Sequence, residues 1–237
     1  MPENPLGALW LSRDFLHKTY IKKTERMGNY VVTVSRECGS GGRTIARKLG
    51  EKLGLKVYDR EFLNAVAEQF GLTKEEMDRV KAQKPNWWND FCRFYLQFGA
   101  AAGINSETRE ATPMSLYVAE KKLLHEVAEK ESFIVVGRSG LLAFRDDPKA
   151  FHLLIVADKD ARVKRISEKR HLGADEARQL VERIDEERET FTHTVADLSR
   201  YDVRNYDLVI NVTGMESDQV ADLVAKHIEL KFGGKRA

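Results

Sequence analysis

Apolar residues follow two periodicities along this chain. Unbroken β-branched runs alternate with stretches where apolar side chains recur at helical spacing. Tyr30-Val31-Val32-Thr33-Val34 is the first run, as expected of a strand buried on both faces of a parallel sheet. Ser35 to Gly42 is a glycine-rich turn, and residues 43–53 then place Ile45, Leu49 and Leu53 on one helical face, with Gly54 as the stop. Residues 55–58 read as a second short strand, followed by Asp59 and a helix through Phe70. Strand, glycine turn, helix, strand is a βαβ unit and predicts a parallel sheet.

The alternation continues. Thr73, with Glu76 three residues on, caps a further helix. Residues 114–130 form a helix with Leu116, Ala119, Leu123 and Val127 on one face, and residues 133–136 and 151–156 are buried strands. Residues 159–170 make a basic helix and 175–190 a charged one, with Asp175 as its N-cap candidate. Residues 207–212 are the last strand, and 217–232 the closing helix, with Val220, Leu223, Val224 and Ile228 inward. The fold class this predicts is α/β. Residues 29–237 form one domain preceded by an extension, 1–28, which admits packing on the body or on a partner subunit and so leaves a homodimer open. Within the domain, residues 83–113 break the pattern with Pro85, Trp87, Trp88, Phe91, Phe94, Tyr95 and Phe98. They read as an inserted helical flap, whose aromatics serve as its own small core or as a stacking surface for a base.

The chain has 237 residues, 42% hydrophobic and 32% charged, with 39 basic and 37 acidic side chains. That near balance argues against a protein that coats polyanions, so no nucleic-acid partner is expected. Cys38 and Cys92 are the 2 cysteines and stand in no metal-like spacing, which fits a reducing compartment. No stretch approaches the ~20 apolar residues of a membrane span. The expectation is a cytoplasmic protein without a membrane partner.

The main chemical signal is Ser35-Arg36-Glu37-Cys38-Gly39-Ser40-Gly41-Gly42-Arg43-Thr44. Between a strand and a helix, glycines let successive N–H groups converge on one anion, and the helix N-terminus adds its positive dipole end. Against the phosphate-loop pattern G-x-x-x-x-G-K-[ST] two registers compete. In one, Gly42, Arg43 and Thr44 fill the G-K-[ST] slots and Glu37 replaces the first glycine. In the other, one residue earlier, Gly42 falls on the lysine. The lysine is absent in both, and Arg43 is the neighbouring cation able to take its role. Thr44 is the first candidate hydroxyl for Mg²⁺ and Ser40 the second.

Other candidates lie at strand ends, where open parallel sheets bind ligands. Asp59 follows the second strand, to receive an acceptor hydroxyl or metal-bound water, or to cap the following helix. Arg138, in Gly137-Arg138-Ser139-Gly140, is placed to hold an acceptor phosphate. Arg162, Arg165 and Arg170 on the basic helix, and Arg183 and Arg188 flanking Asp185 on the next, suit a lid over transferring phosphates. The histidines form no metal spacing.

Together these stretches resemble the cytidylate kinase-like family from about residue 30 to about residue 230. The resemblance rests on VVTVSRECGSGGRTIARKLGEKLGLKVYDREFL, FIVVGRSG, ADKDARVKRI with ARQLVERIDEER, and NYDLVINVTG. It implies a P-loop kinase fold, three α/β/α layers around a parallel sheet of about five strands, a lid over about residues 159–200, ATP and Mg²⁺ as cofactors, and a nucleotide acceptor such as CMP or dCMP. Carried over residue by residue, Gly39, Ser40, Gly41, Gly42, Arg43 and Thr44 match the phosphate loop, and Asp59 and Arg138 the acceptor side. Arg162 resembles the arginine opening the lid, and Arg183 and Arg188 resemble lid arginines, with Asp185 expected at the acceptor. The expected catalytic set is Arg43, Arg183 and Arg188. Cytidylate kinases proper carry a loop lysine and an aspartate after the glycine-arginine; this chain has no loop lysine and has Ser139. A P-loop kinase of another small acceptor and a non-catalytic nucleotide-binding module are the competing readings.

Overall fold

The structure, a computed structural model, describes residues 28–59, 113–137 and 139–233. The expected extension 1–28 (but for its last residue), the helix after Asp59, the Thr73 cap, the flap up to residue 112, and Arg138 lie outside the described residues. Five strands alternate with helices: β1 Val31–Arg36, α1 Gly42–Leu53, β2 Lys56–Tyr58, α2 Pro113–Ala128, β3 Phe133–Val136, a short α3 Gly140–Ala143, β4 Ala150–Val156, α4 Lys159–Arg170, α5 Ala174–Ala196, a 3-10 turn Val203–Asn205, β5 Leu208–Asn211 and α6 Ser217–Gly233.

All pairings are parallel, in the order β2-β3-β1-β4-β5. β1 is central, with Val31 opposite both Phe133 and Ala150. The chain leaves β1 for one side of the sheet and later returns to build the other. The end of β1 is therefore the switch point, where an open α/β sheet forms its ligand crevice. This is the P-loop kinase architecture expected from the resemblance.

Alternation along the strands sorts the core. On one face Val32, Val34, Ile134, Val136, Leu153 and Ile155 meet Ile45, Ala46 and Leu49 of α1 and Val220, Ala221, Val224 and Ile228 of α6. The hydrophobic spacing of α1 thus tethers the glycine loop to the sheet. In α6 the inward stripe includes Ala221 and Ala225, and Leu223 is exposed, one position off the stripe expected for it. In α2 Leu124 and Glu120 are buried, while Val127 is half-buried. α5 starts after Gly173, whose amide donates to Glu176 Oε2 at 3.1 Å. Asp175 is therefore in the first turn and is not the N-cap, a position where its charge still complements the dipole.

α4 and α5 carry a second, smaller cluster. Val163, Ile166, Ala177, Val181 and Ile184 pack around Cys38 of the loop. Burial pushes the Cys38 thiol up, against the opposing pull of Arg188, so it packs as an apolar plug.

Candidate functional site

The loop geometry selects between the two registers. Gly39 has φ +82° and Gly41 φ +83°, and α1 begins at Gly42 with Gly41 as its N-cap. A Cβ on Gly39 would stand 2.6 Å from the Arg162 carbonyl oxygen, so only glycine fits. Gly41 is thus the last glycine of the pattern and Gly42 occupies the lysine slot. Arg36, in turn, occupies the first glycine slot. A Cβ on Gly42 would approach Arg36 Cβ to 2.7 Å, and the Arg36 guanidinium lies over Gly137. The usual small-large pair is inverted: the long cation comes from the strand end and the gap from the helix start. The sequence reading missed Arg36; the visible signal was a cation in one diagnostic slot matched by a glycine in the other.

No side chain caps α1. The amides of Gly42, Arg43 and Thr44 sit in its first turn, where the helix offers them no acceptor. Thr44 is exposed. Ser40, the second candidate hydroxyl for Mg²⁺, is buried and donates to the Glu37 carbonyl at 3.0 Å. The Glu37 carboxylate is turned to Ala157 N (2.9 Å) and Arg162 Nε (3.3 Å). Arg165 steadies the loop through Gly39 O at 2.6 Å.

Arg43 reaches across to Asp59 at the end of β2, Nε to Oδ2 3.3 Å, and Arg47 stands 3.8 Å from the same oxygen. Asp59 is buried and Arg43 half-exposed. The two residues, expected on the donor and acceptor sides respectively, are therefore paired.

Behind the loop, Asp185 collects cations. Its Oδ1 accepts from Cys38 N at 2.8 Å and from Arg188 Nη1 at 3.1 Å, and its Oδ2 accepts from Arg162 Nη1 at 2.7 Å. Arg162 also donates from Nε to Ala157 O and from Nη1 to Cys38 O. Both side chains are buried. Arg162, expected at the cofactor, and Asp185, expected at the acceptor, both hold the loop through these bonds. Arg183, expected in the catalytic set, stands apart from this network. It is mainly exposed, 3.9 Å from Glu187, because the inward stripe of α5 is Ile184, Arg188, Phe191 and Thr192.

That stripe lines a cavity of about 240 Å³ between the ends of β1 and β3. Arg36, Arg43, Arg170, Arg188 and Arg200 line it, against the carboxylate of Glu120. Burial, and then the adjacent Arg200, push Arg188 below the ordinary guanidinium range, while Asp185 pulls it back. Arg36 O accepts from both Arg188 Nη1 (3.1 Å) and Arg200 Nη2 (2.6 Å). The cavity is strongly cationic and lies beside the uncapped first turn of α1, an arrangement able to bind phosphates and to stabilise charge during their transfer. Among the described residues no cluster of His, Cys, Asp and Glu could hold a metal, and no helix is long and apolar enough to cross a membrane.

The profile of the cytidylate kinase-like family matches residues 31–214. A cytidylate kinase of Methanopyrus kandleri is 24% identical over 200 residues, covering 84% of this chain and 93% of that protein. One of Archaeoglobus fulgidus is 26% identical over 206 residues, covering 84% and 95%. The crystal structure of an uncharacterized protein from Eubacterium ventriosum superposes with a TM-score of 0.60 at 25% identity, covering 85% of this chain and 99% of that one.

Proposed function

The chain belongs to the cytidylate kinase-like family, and on that premise we propose that it transfers the γ-phosphoryl group of ATP to a nucleoside monophosphate, CMP or dCMP. Family and fold together make it a nucleotide kinase-like phosphotransferase; the acceptor and the cofactors are the proposal. The observation that carries it is the glycine loop with its uncapped first turn opening beside an arginine-lined cavity.

The loop fits a triphosphate. Left-handed Gly39 and Gly41 curl it, and the amides of Gly42, Arg43 and Thr44 supply donors. Mg²⁺ would rest mainly on the phosphates, with the exposed Thr44 hydroxyl, one position beyond the [ST] slot that Arg43 fills, as the nearby protein oxygen, since this ion keeps several waters and needs few protein ligands. When bound it would neutralise phosphate charge. The chain's own residues do the rest. Arg43 and Arg188 face the transferred group, Asp59 fixes Arg43, and the Asp185–Arg162 pair holds the loop's shape. An acceptor phosphate is matched by the cavity's cations, which a neutral alcohol or nucleoside would leave uncompensated.

A coupled ADP-release assay across nucleoside monophosphates tests the reading. Turnover greatest with CMP or dCMP is expected. ADP release with none of the monophosphates, alongside tight ATP binding, would favour the non-catalytic module.

A further inference from the structure

Arg200 lies in the turn between α5 and the 3-10 helix, outside every motif discussed so far. Its backbone is fixed on both sides: its amide donates to Glu189 Oε2 at 3.0 Å, and its carbonyl accepts from the Tyr206 hydroxyl at 2.7 Å. Nη2 of its guanidinium donates to Arg36 O at 2.6 Å. The side chain is 6% exposed. Yet Nη1 is buried with no hydrogen-bond partner. The nearby Asp185 Oδ1 is 3.9 Å away, beyond hydrogen-bond reach, and already serves Cys38 and Arg188.

Ser139 lines the same cavity from the end of β3. It holds φ 55°, and its hydroxyl is also buried without a hydrogen-bond partner. A buried cationic donor left unmatched is costly, and folded proteins rarely retain one without reason. Here two such donors, one charged and one neutral, belong to residues that line the same arginine-rich cavity.

We propose that Arg200 Nη1, with Ser139 Oγ, binds a phosphate oxyanion of the acceptor in the cavity between the ends of β1 and β3. This rests on the kinase reading for the word acceptor; the anion site itself rests on the two unmatched donors. The acceptor is favoured over the nucleoside triphosphate by position. The triphosphate's donors are the α1 amides, whereas Ser139 follows β3 and Arg200 grips the last carbonyl of β1. Arg200 is thus a binding residue braced in place before the ligand arrives, so little ordering cost is left at binding.

Titration calorimetry on the full chain tests this with three probes: inorganic phosphate, CMP and a non-hydrolysable ATP analogue. Arg200→Gln should weaken phosphate and CMP about 10- to 100-fold, the range for a hydrogen bond to a charged group, and shift the ATP analogue by less than about twofold. Ser139→Ala should weaken CMP by about 2- to 10-fold. Ser139→Ala breaks no hydrogen bond in the fold, so it decides the matter even if Arg200→Gln fails to fold; Arg200→Lys should keep part of the affinity. A wild type that binds no phosphate, variants that bind phosphate and CMP like wild type, or a defect confined to the ATP analogue each overturn the proposal. Loss of phosphate binding in Arg200→Gln, with no CMP turnover in the wild type, would remove the kinase reading and leave the anion site standing.

Discussion

Asp185 Oδ1 accepts the backbone amide of Cys38 at 2.8 Å. A carboxylate midway along α5 thereby holds the glycine loop from behind, and through Oδ2 it pairs with Arg162 of α4 at 2.7 Å. Both α4 and α5 are thus bonded to the glycine loop, and their apolar cluster around Cys38 adds packing to the polar tie. Any shift of α5 at this level must move the loop with it.

Asp185→Ala should therefore be severe. It leaves Arg162 buried without its closest carboxylate and frees Cys38 N. A destabilisation of about 3–5 kcal/mol is expected, as for breaking one side of a buried pair. Urea denaturation of wild type and variant measures it, and a loss below about 1 kcal/mol would place the interaction in the weak surface class.

The inverted pair of Arg36 and Gly42 makes a second prediction. Gly42→Lys should not improve the enzyme, because its Cβ would collide with Arg36 Cβ. A loss of about 1–3 kcal/mol is expected from overpacking. The double variant Arg36→Gly with Gly42→Lys removes the collision and should regain most of that stability. Thermal melts of the single and double variants check the coupling; additive effects would mean the two positions are independent.

Arg43→Ala should lower kcat by at least ~10²-fold, comparable to loss of one donor in the transition state. It also leaves the buried Asp59 with a weaker neighbour, Arg47 at 3.8 Å. Steady-state kinetics with saturating ATP and CMP give the answer. Unchanged kcat would remove Arg43 from the chemistry.

His152 predicts a pH dependence of stability. It is buried on β4, with Nδ1 2.7 Å from Thr33 Oγ1. Burial holds its pKa below the ordinary 6.5, Lys231 acts in the same direction, and Asp207 opposes. The folded state thus takes the proton less readily than the unfolded chain. The stability associated with neutral His152 is complete above the unfolded value and is lost as pH falls through the folded one. His152→Gln should flatten the fall in melting temperature between about pH 7 and pH 5; an equally steep fall in the variant would assign it to other groups.

Much of the fold was legible because β-branched runs and helical stripes differ in period. The 133–136 strand and the 159–170 helix match their sequence bounds, and Gly54 ends α1 in a left-handed turn. The site was less legible. The sequence expectation put Arg162 at the cofactor and Asp185 at the acceptor; that the two pair with each other and hold the Cys38 backbone is visible only in the folded chain. Arg183 and Arg188 look alike in a charged helix; the stripe through Ile184 and Phe191 separates them. Arg200 sits in an irregular turn with no periodicity, so only the folded chain brings it to the cavity.

The most direct test is a crystal structure of the full chain with a non-hydrolysable ATP analogue and Mg²⁺. The account predicts the β- and γ-phosphates on the amides of residues 39–44, with the γ-phosphate facing Arg43 and the cavity. A triphosphate bound elsewhere, with that loop vacant, would contradict it.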